Sequence, residues 1–300
     1  MRGRGVSHQP LRLESIGDFL QKIIDLYRRN VRLFAEILLV PSVVVTISGL
    51  WIERLVERMV AIAELTDPAE RLAQVTLPTV GILVYFVTIT IIQCASLGAI
   101  AAAVQEVQRG RSIDVPGAWL RAAKHLAGIV TIGAAYPIAS IAGAFVAMLV
   151  FIVPMALLGA LVGQPLFILF AAPFVIGCMI AIPLLLVRYA LAVPVLVNED
   201  AGTLQAFRRS ASLTKGSRLF LVIVLLIALL SANVVAFIFQ GPFMAARWLA
   251  GEGSFATVML IGQAIAGTIG SALGMPFPML AICLLYVELK NREQTITIGV

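Results

Sequence analysis

The chain alternates between long apolar runs and short polar stretches that are mostly basic. The longest segment without Asp, Glu, Lys or Arg lies between Lys124 and Arg188. A helix crosses a bilayer core of about 30 Å with roughly 20 apolar residues. The segment is too long for one crossing and fits two, joined by a turn at Gly163-Gln164-Pro165. The same reading along the chain predicts six spans, at about 33–50, 78–104, 126–153, 166–187, 219–240 and 256–287. Pro276 and Pro278 interrupt the last and predict a kink there. After the first span, Leu55, Val56, Met59, Val60 and Ala63 recur at helical spacing, which continues the helix into or along the interface.

Three stretches, 14–30, 112–125 and 202–215, are too polar to cross a bilayer yet carry an apolar stripe. Each has a Ser, Thr or Asp able to cap its start, one aromatic residue (Phe19, Trp119, Phe207) and basic residues towards its end. Each directly precedes an odd-numbered span. In the third, Leu204, Phe207 and Ala211 share a face. The expectation is a helix lying in the interface, its ring among acyl chains and its arginines at phosphate level. One interfacial helix plus two spans is then a unit used three times.

Charge orients these elements. Arg54, Arg58, Arg71 and Arg247 fall on one side, and the other eighteen of the 22 Lys and Arg fall on the opposite side. The positive-inside rule puts both termini and the long even-numbered loops in the cytoplasm. The predicted fold class is an all-α polytopic membrane protein: six transmembrane helices, both termini cytoplasmic, and three amphipathic interfacial helices on the cytoplasmic side. A disordered basic start is expected over residues 1–12, with no removable signal peptide.

Composition agrees. The chain is 60% hydrophobic and 13% charged, with a mean hydropathy of +1.01; a soluble domain carries about 25% charged residues. Cys94, Cys178 and Cys283 each sit in apolar sequence, which suits packing better than a disulfide framework. His8 and His125 are the only histidines, and no Cys or His cluster has metal-ligand spacing. No metal, cofactor or nucleic-acid partner is expected.

Few residues could carry chemistry. Arg208, Arg209 and Ser210, with Glu199 and Asp200 before them, form the densest polar cluster. Forked guanidinium groups suit a lipid phosphate. The same arginines could instead attract anionic lipid without specificity, or pair with Glu288 or Glu106 at the ends of even spans. Arg188 and Tyr189 end the fourth span, where snorkelling accounts for both. Glu36 lies one turn into the first span, as an ion site or as a headgroup-level partner of Arg32 or Arg29. Gly262, Ala266, Gly270 and Gly274 make a small-residue face, as do Ala139, Gly143 and Ala147; both suit close helix packing inside one bundle.

The stretch Ala192-Val193-Pro194-Val195-Leu196-Val197-Asn198-Glu199-Asp200, then Ala206-Phe207-Arg208-Arg209-Ser210 and Leu213-Thr214-Lys215-Gly216, resembles the membrane domain attached to some bacterial glycerophosphodiester phosphodiesterases, and its stand-alone relatives. So does the ending Leu284-Leu285-Tyr286-Val287-Glu288-Leu289-Lys290-Asn291-Arg292, and Tyr27-Arg28-Arg29-Asn30 near the start. The resemblance implies a multi-pass protein of the bacterial cytoplasmic (inner) membrane. It does not carry the hydrolase activity, which belongs to a separate soluble barrel. The function expected is non-catalytic interaction with anionic lipids or membrane partners through the basic helices. The alternative is a transporter or lipid translocator, supported by proline-broken helices. An intramembrane enzyme would need a paired acid and base, and no histidine accompanies the Arg208–Glu199 region.

Overall fold

The computed structural model describes residues 16–147, 187–250 and 253–298. Among these the chain is all-helical. Ten α-helices follow in order: α1 Ile16–Arg29, α2 Val31–Ala63, α3 Pro68–Gln108, α4 Val115–Lys124, α5 Leu126–Ala147, α6 Ala192–Glu199, α7 Thr203–Leu213, α8 Arg218–Ala250, α9 Ser254–Gly274 and α10 Pro276–Ile298. A single 3-10 turn, Val187–Tyr189, precedes α6.

Among the described residues, four segments are long and apolar enough to cross a membrane: Val31–Ile62, Ala69–Gln108, Arg218–Leu249 and Thr257–Gln294. A shorter apolar stretch covers Leu126–Ser140 in α5. The rest of the predicted third and fourth spans, with the Gly163-Gln164-Pro165 turn, lies outside the described residues, as does the basic start at 1–12.

Several helices outrun their predicted limits. The predicted second span began at Pro78, but the helix starts at Pro68. Asp67 accepts a hydrogen bond from the Ala69 amide (2.9 Å) and a proline occupies the first helical position, a strong start signal. Pro78 is accommodated inside. At 1.5 Å per residue the 33 residues of α2 and the 41 of α3 extend about 50 and 60 Å, well beyond a core of about 30 Å. Beyond the predicted fifth span, α8 continues to Ala250 through Pro242. The predicted kink in the last span is a break between α9 and α10, where Pro276 opens the new helix. Met275 keeps right-handed helical angles and its amide still bonds to the Ser271 carbonyl, so the backbone is not unwound at the break.

A short amphipathic helix does precede each of α2, α5 and α8: α1, α4 and α7. Their rings pack on the protein's own core, fully in α1 and partly in α4 and α7. Phe19 and Tyr27 are buried in the protein's own core, Phe19 edge-on to Phe220 at 5.9 Å and Tyr27 against Phe277 at 4.6 Å. Burial raises the pKa of the Tyr27 phenol, which donates to the Leu273 carbonyl (2.9 Å). Phe207 lies edge-on to Tyr189 at 5.5 Å, and Trp119 packs on the same core. The buried face of α7 is Ala206, Ser210 and Leu213, while Leu204 is exposed. The face of α7 that docks onto the bundle is thus a different one from the predicted stripe of Leu204, Phe207 and Ala211. Capping differs too: Asp114 caps α4 through the Gly117 amide (3.1 Å), but Gly202 occupies the cap position of α7 and Thr203 lies inside the helix.

The core is densest where α3, α4, α5, α6, α8 and α10 meet, with Ile100, Ile129, Leu191, Leu221, Leu280 and Leu285 fully buried. This is the end of the bundle that gathers the basic residues. At the other end Arg247 pairs with Glu53 (3.1 Å), and Trp248, Leu249 and Leu77 are largely exposed. Small residues bring α8 and α9 together. A Cβ on Gly270 would lie 2.9 Å from the Ala236 Cα, and one on Gly274 would lie 2.6 Å from the Ala232 carbonyl oxygen. At Gly143 a Cβ would meet nothing within 4 Å among the described residues, and residues 148–186, which follow that stripe, lie outside them.

The Gly274→Val variant should therefore lose stability by about 1–3 kcal/mol, because backbone and not a movable side chain fills the space. Gly49→Ala, inside α2 where a Cβ meets nothing within 4 Å, should hold or raise stability, by up to about 1 kcal/mol. Thermal unfolding of the two variants in the same detergent checks the contrast.

Candidate functional site

Three polar groupings gather at the basic end. The first is built on Glu106, in the last turn of α3. Its side chain is only 6% exposed and takes three guanidinium groups: Arg121 of α4 at 2.7 Å, Arg109 at 3.3 Å and Arg111 at 4.0 Å. A carboxylate this buried requires a charged partner. Arg121 supplies it, and the other two leave the group net positive. The tight turn after α3 is made by Gly110 at φ 73°, with the Arg109, Gly110 and Arg111 amides closing on the last carbonyls. That turn brings Arg109 and Arg111 back onto the helix end.

The second grouping ties α6, α7 and α10. Arg209 donates to both carboxylate oxygens of Glu293, through Nη1 at 2.8 Å and through Nη2, and its Nε lies 3.5 Å from Glu199. Lys290 Nζ is 3.1 Å from Glu199 and 3.0 Å from the Tyr286 hydroxyl, which itself donates to Glu199 at 2.9 Å. The hydrogen bond to Glu293 comes first among the causes that raise the pKa of Arg209 above its already high value, so it stays charged at every working pH. Two cations and two carboxylates balance here.

Ser210 makes a structural clamp. It is fully buried, donates to the Arg188 carbonyl (3.0 Å) and accepts from the Leu191 amide (3.2 Å). Thr214 also donates to the Arg188 carbonyl, at 3.3 Å. These bonds satisfy backbone groups freed where the chain turns from 187–189 into α6. The Arg188 guanidinium lies 5.4 Å from the Tyr189 ring centre. Asp200, in the left-handed region at φ 48°, ends α6 and sits 3.2 Å from His125.

The candidate residues thus separate. Arg209 and Glu199 come together, with Ser210 behind them. Arg208 points outward and has no carboxylate partner among the described residues. Glu288 pairs with Arg292 one turn along its own helix (3.1 Å), not with Arg208 or Arg209. Glu36 pairs with Arg32 in the same way (2.7 Å), and both are well exposed. Glu293 and Lys290 took no part in the sequence reading as partners of Arg209 and Glu199. Both lie in a tail that reads as plain basic anchoring, and pairing across 84 residues leaves no local signal. Glu106 had one: it is a lone carboxylate closing a long apolar run and followed at once by two arginines.

Between the first two groupings lies a cavity of about 340 Å³, walled by α3, α6 and α10. Its apolar part is Ala101, Val104, Cys283 and Val287. Its polar part is Arg109, Lys290, Tyr286 and five carboxamides: Gln105, Gln108, Asn198, Asn291 and Gln294. No Asp or Glu lines it. Among the described residues no group of three or more His, Cys, Asp or Glu is placed to hold a metal ion. Comparison of the chain with protein-family models, curated proteins and solved structures finds no match.

Arg209 and Arg208 are neighbours in sequence with opposite surroundings. Arg209→Gln should cost about 1–3 kcal/mol, the range for lost charged hydrogen bonds at a partly buried site. Arg208→Gln should stay within about 0.5 kcal/mol of wild type, as surface changes do. Chemical or thermal unfolding in a neutral detergent, where lipid charge plays no part, measures both.

Proposed function

We propose that this chain is a non-catalytic, six-span protein of the bacterial cytoplasmic membrane that binds anionic lipids with its basic end. The basic end then faces the cytoplasm, following the positive-inside rule. The observation that carries the reading is the Glu106 grouping: three guanidinium groups share one buried carboxylate, so positive charge remains at the rim for an anionic surface. Arg188 and Arg208 add exposed cations at the same end. Each basic residue near an anionic surface contributes about 1 kcal/mol of attraction. The resemblance to the membrane domain attached to glycerophosphodiester phosphodiesterases belongs to this reading. Its motif residues Arg209, Ser210 and Tyr286 all fall in the groupings that assemble the basic end.

Translocation of a lipid or solute is the alternative. Transporter sites form where helices unwind near the midplane. At the Pro276 interruption Met275 stays helical, which gives that alternative no specific support there; Pro173 and Pro183 of the predicted fourth span lie outside the described residues. A flux assay in liposomes tests it directly.

The test of the main reading is thermal stability in nanodiscs. Discs of phosphatidylcholine mixed with an anionic phospholipid should raise the melting temperature above that in phosphatidylcholine alone. Near 1 M salt the gain should largely vanish, since the screening length falls to about 3 Å. Arg111→Gln and Arg208→Gln should each reduce the gain without changing stability in phosphatidylcholine. Equal melting temperatures in both lipids at low salt would overturn the reading.

A further inference from the structure

We propose that the cavity between Arg109 and Lys290 is a binding site for a phosphate ester that carries free hydroxyl groups. The ligand is either the headgroup of a polyol phospholipid or the corresponding soluble polyol phosphate. The inference rests on the anionic-lipid reading above and gives it a place and a ligand chemistry.

The sign of the site comes first. Arg109 and Lys290 are the only charged groups in the lining, and no carboxylate opposes them. Each is held by a carboxylate that a second cation also holds. Arg109 shares Glu106 with Arg121, and Lys290 shares Glu199 with Arg209. Three cations share Glu106, so net positive charge stays on the Arg109 side, while the balanced Lys290 side turns its ammonium group and no carboxylate to the cavity. An ammonium headgroup would meet like charge here, whereas a phosphate would meet two donors.

The carboxamides narrow the chemistry. A carboxamide both donates and accepts, and so does a hydroxyl; phosphate oxygens at neutral pH only accept. Five carboxamides around one cavity exceed what a bare phosphate could use. Asn198 makes the point specific. Its side-chain oxygen is buried and has no hydrogen-bond donor among the described residues. A buried acceptor left unpaired is costly, and such atoms nearly always find a partner. A phosphate cannot supply that proton, but a ligand hydroxyl can. The volume of about 340 Å³ falls at the lower end of small-molecule sites, which run from about 300 to 1,000 Å³. The apolar floor of Val104, Cys283 and Val287 lets the polar ligand lie against the bundle without stranding another polar atom.

The experiment compares lipids of one charge but different hydroxyl content. Purified full-length protein is titrated with phosphatidylglycerol, phosphatidylmethanol and phosphatidylserine, and binding is read by native mass spectrometry and melting temperature. Phosphatidylglycerol should bind about tenfold more tightly than phosphatidylmethanol, the effect of one or two hydrogen bonds. Arg109→Gln should remove that preference while keeping the fold, because Glu106 retains Arg121 at 2.7 Å. Asn198→Leu should remove it too, since it deletes the acceptor. Soluble glycerol phosphate, added in neutral detergent, separates the two sources. Stabilisation by it alone assigns a free ester, and stabilisation by phosphatidylglycerol only assigns the lipid. Equal binding of all three lipids to the wild-type protein would overturn the cavity assignment, whether or not the variants fold. If anionic lipids still stabilised the protein over phosphatidylcholine, the broader reading would survive. If they did not, both would fail.

Discussion

Arg209 occupies a position on which the basic end depends. Its guanidinium group reaches Glu293 of α10 and Glu199 of α6 from a third helix, α7. A charge cannot retreat into an apolar bundle without great cost, so the ionisable groups collect at the ends and must find one another there. That requirement does more than exclude charge from the middle. It sets which helix ends meet. Ser210, the next residue, uses the fixed position of α7 to clamp the chain at 187–191. Glu106 plays the corresponding role for α3 and α4. Two carboxylate-centred groupings thus draw five helices to one end of the molecule, and the space between them is the cavity.

Hydrophobic patterning carries the long helices well. The extension of α2 past 52, the interruption at Pro276 and the short helices before α2, α5 and α8 were all legible, because each depends on local periodicity or on proline chemistry. Helix limits were less so. Pro78 reads as a boundary, yet the Asp67-Pro68 pair upstream is the stronger signal, since it supplies both a cap and a residue that needs no amide partner. Which face of each short helix docks on the bundle was not legible, for a different reason. An amphipathic helix buries its apolar stripe against lipid or against protein with nearly the same composition, and sequence alone cannot choose between them. Phe19 and Tyr27 find Phe220 and Phe277, partners far away in the chain.

The candidate site divides along the same line. Arg209 and Glu199 belong to one short stretch and could be paired by inspection. Glu293 and Lys290 join them only because α10 folds back alongside α6 and α7, and the helical spacing of α10 puts Tyr286, Lys290 and Glu293 on one flank. Asn198 is the extreme case. In sequence it is one polar residue before an acidic pair, and only its enclosure between α3 and α10 exposes the unmet hydrogen-bond capacity of its side chain.

The break at Met275 has a bearing on how the molecule comes into being. On one side of it α9 is committed to α8 through glycine contacts; on the other α10 supplies Tyr286, Lys290 and Glu293 to groupings whose remaining members are encoded much earlier. A nascent chain emerges in sequence order, so α3, α6 and α7 are made while Glu199 and Arg209 still lack Tyr286, Lys290 and Glu293. The final helix completes both the charge pairing and the third wall of the cavity in a single docking step. Assembly of the cavity is thereby deferred until α10 has been made.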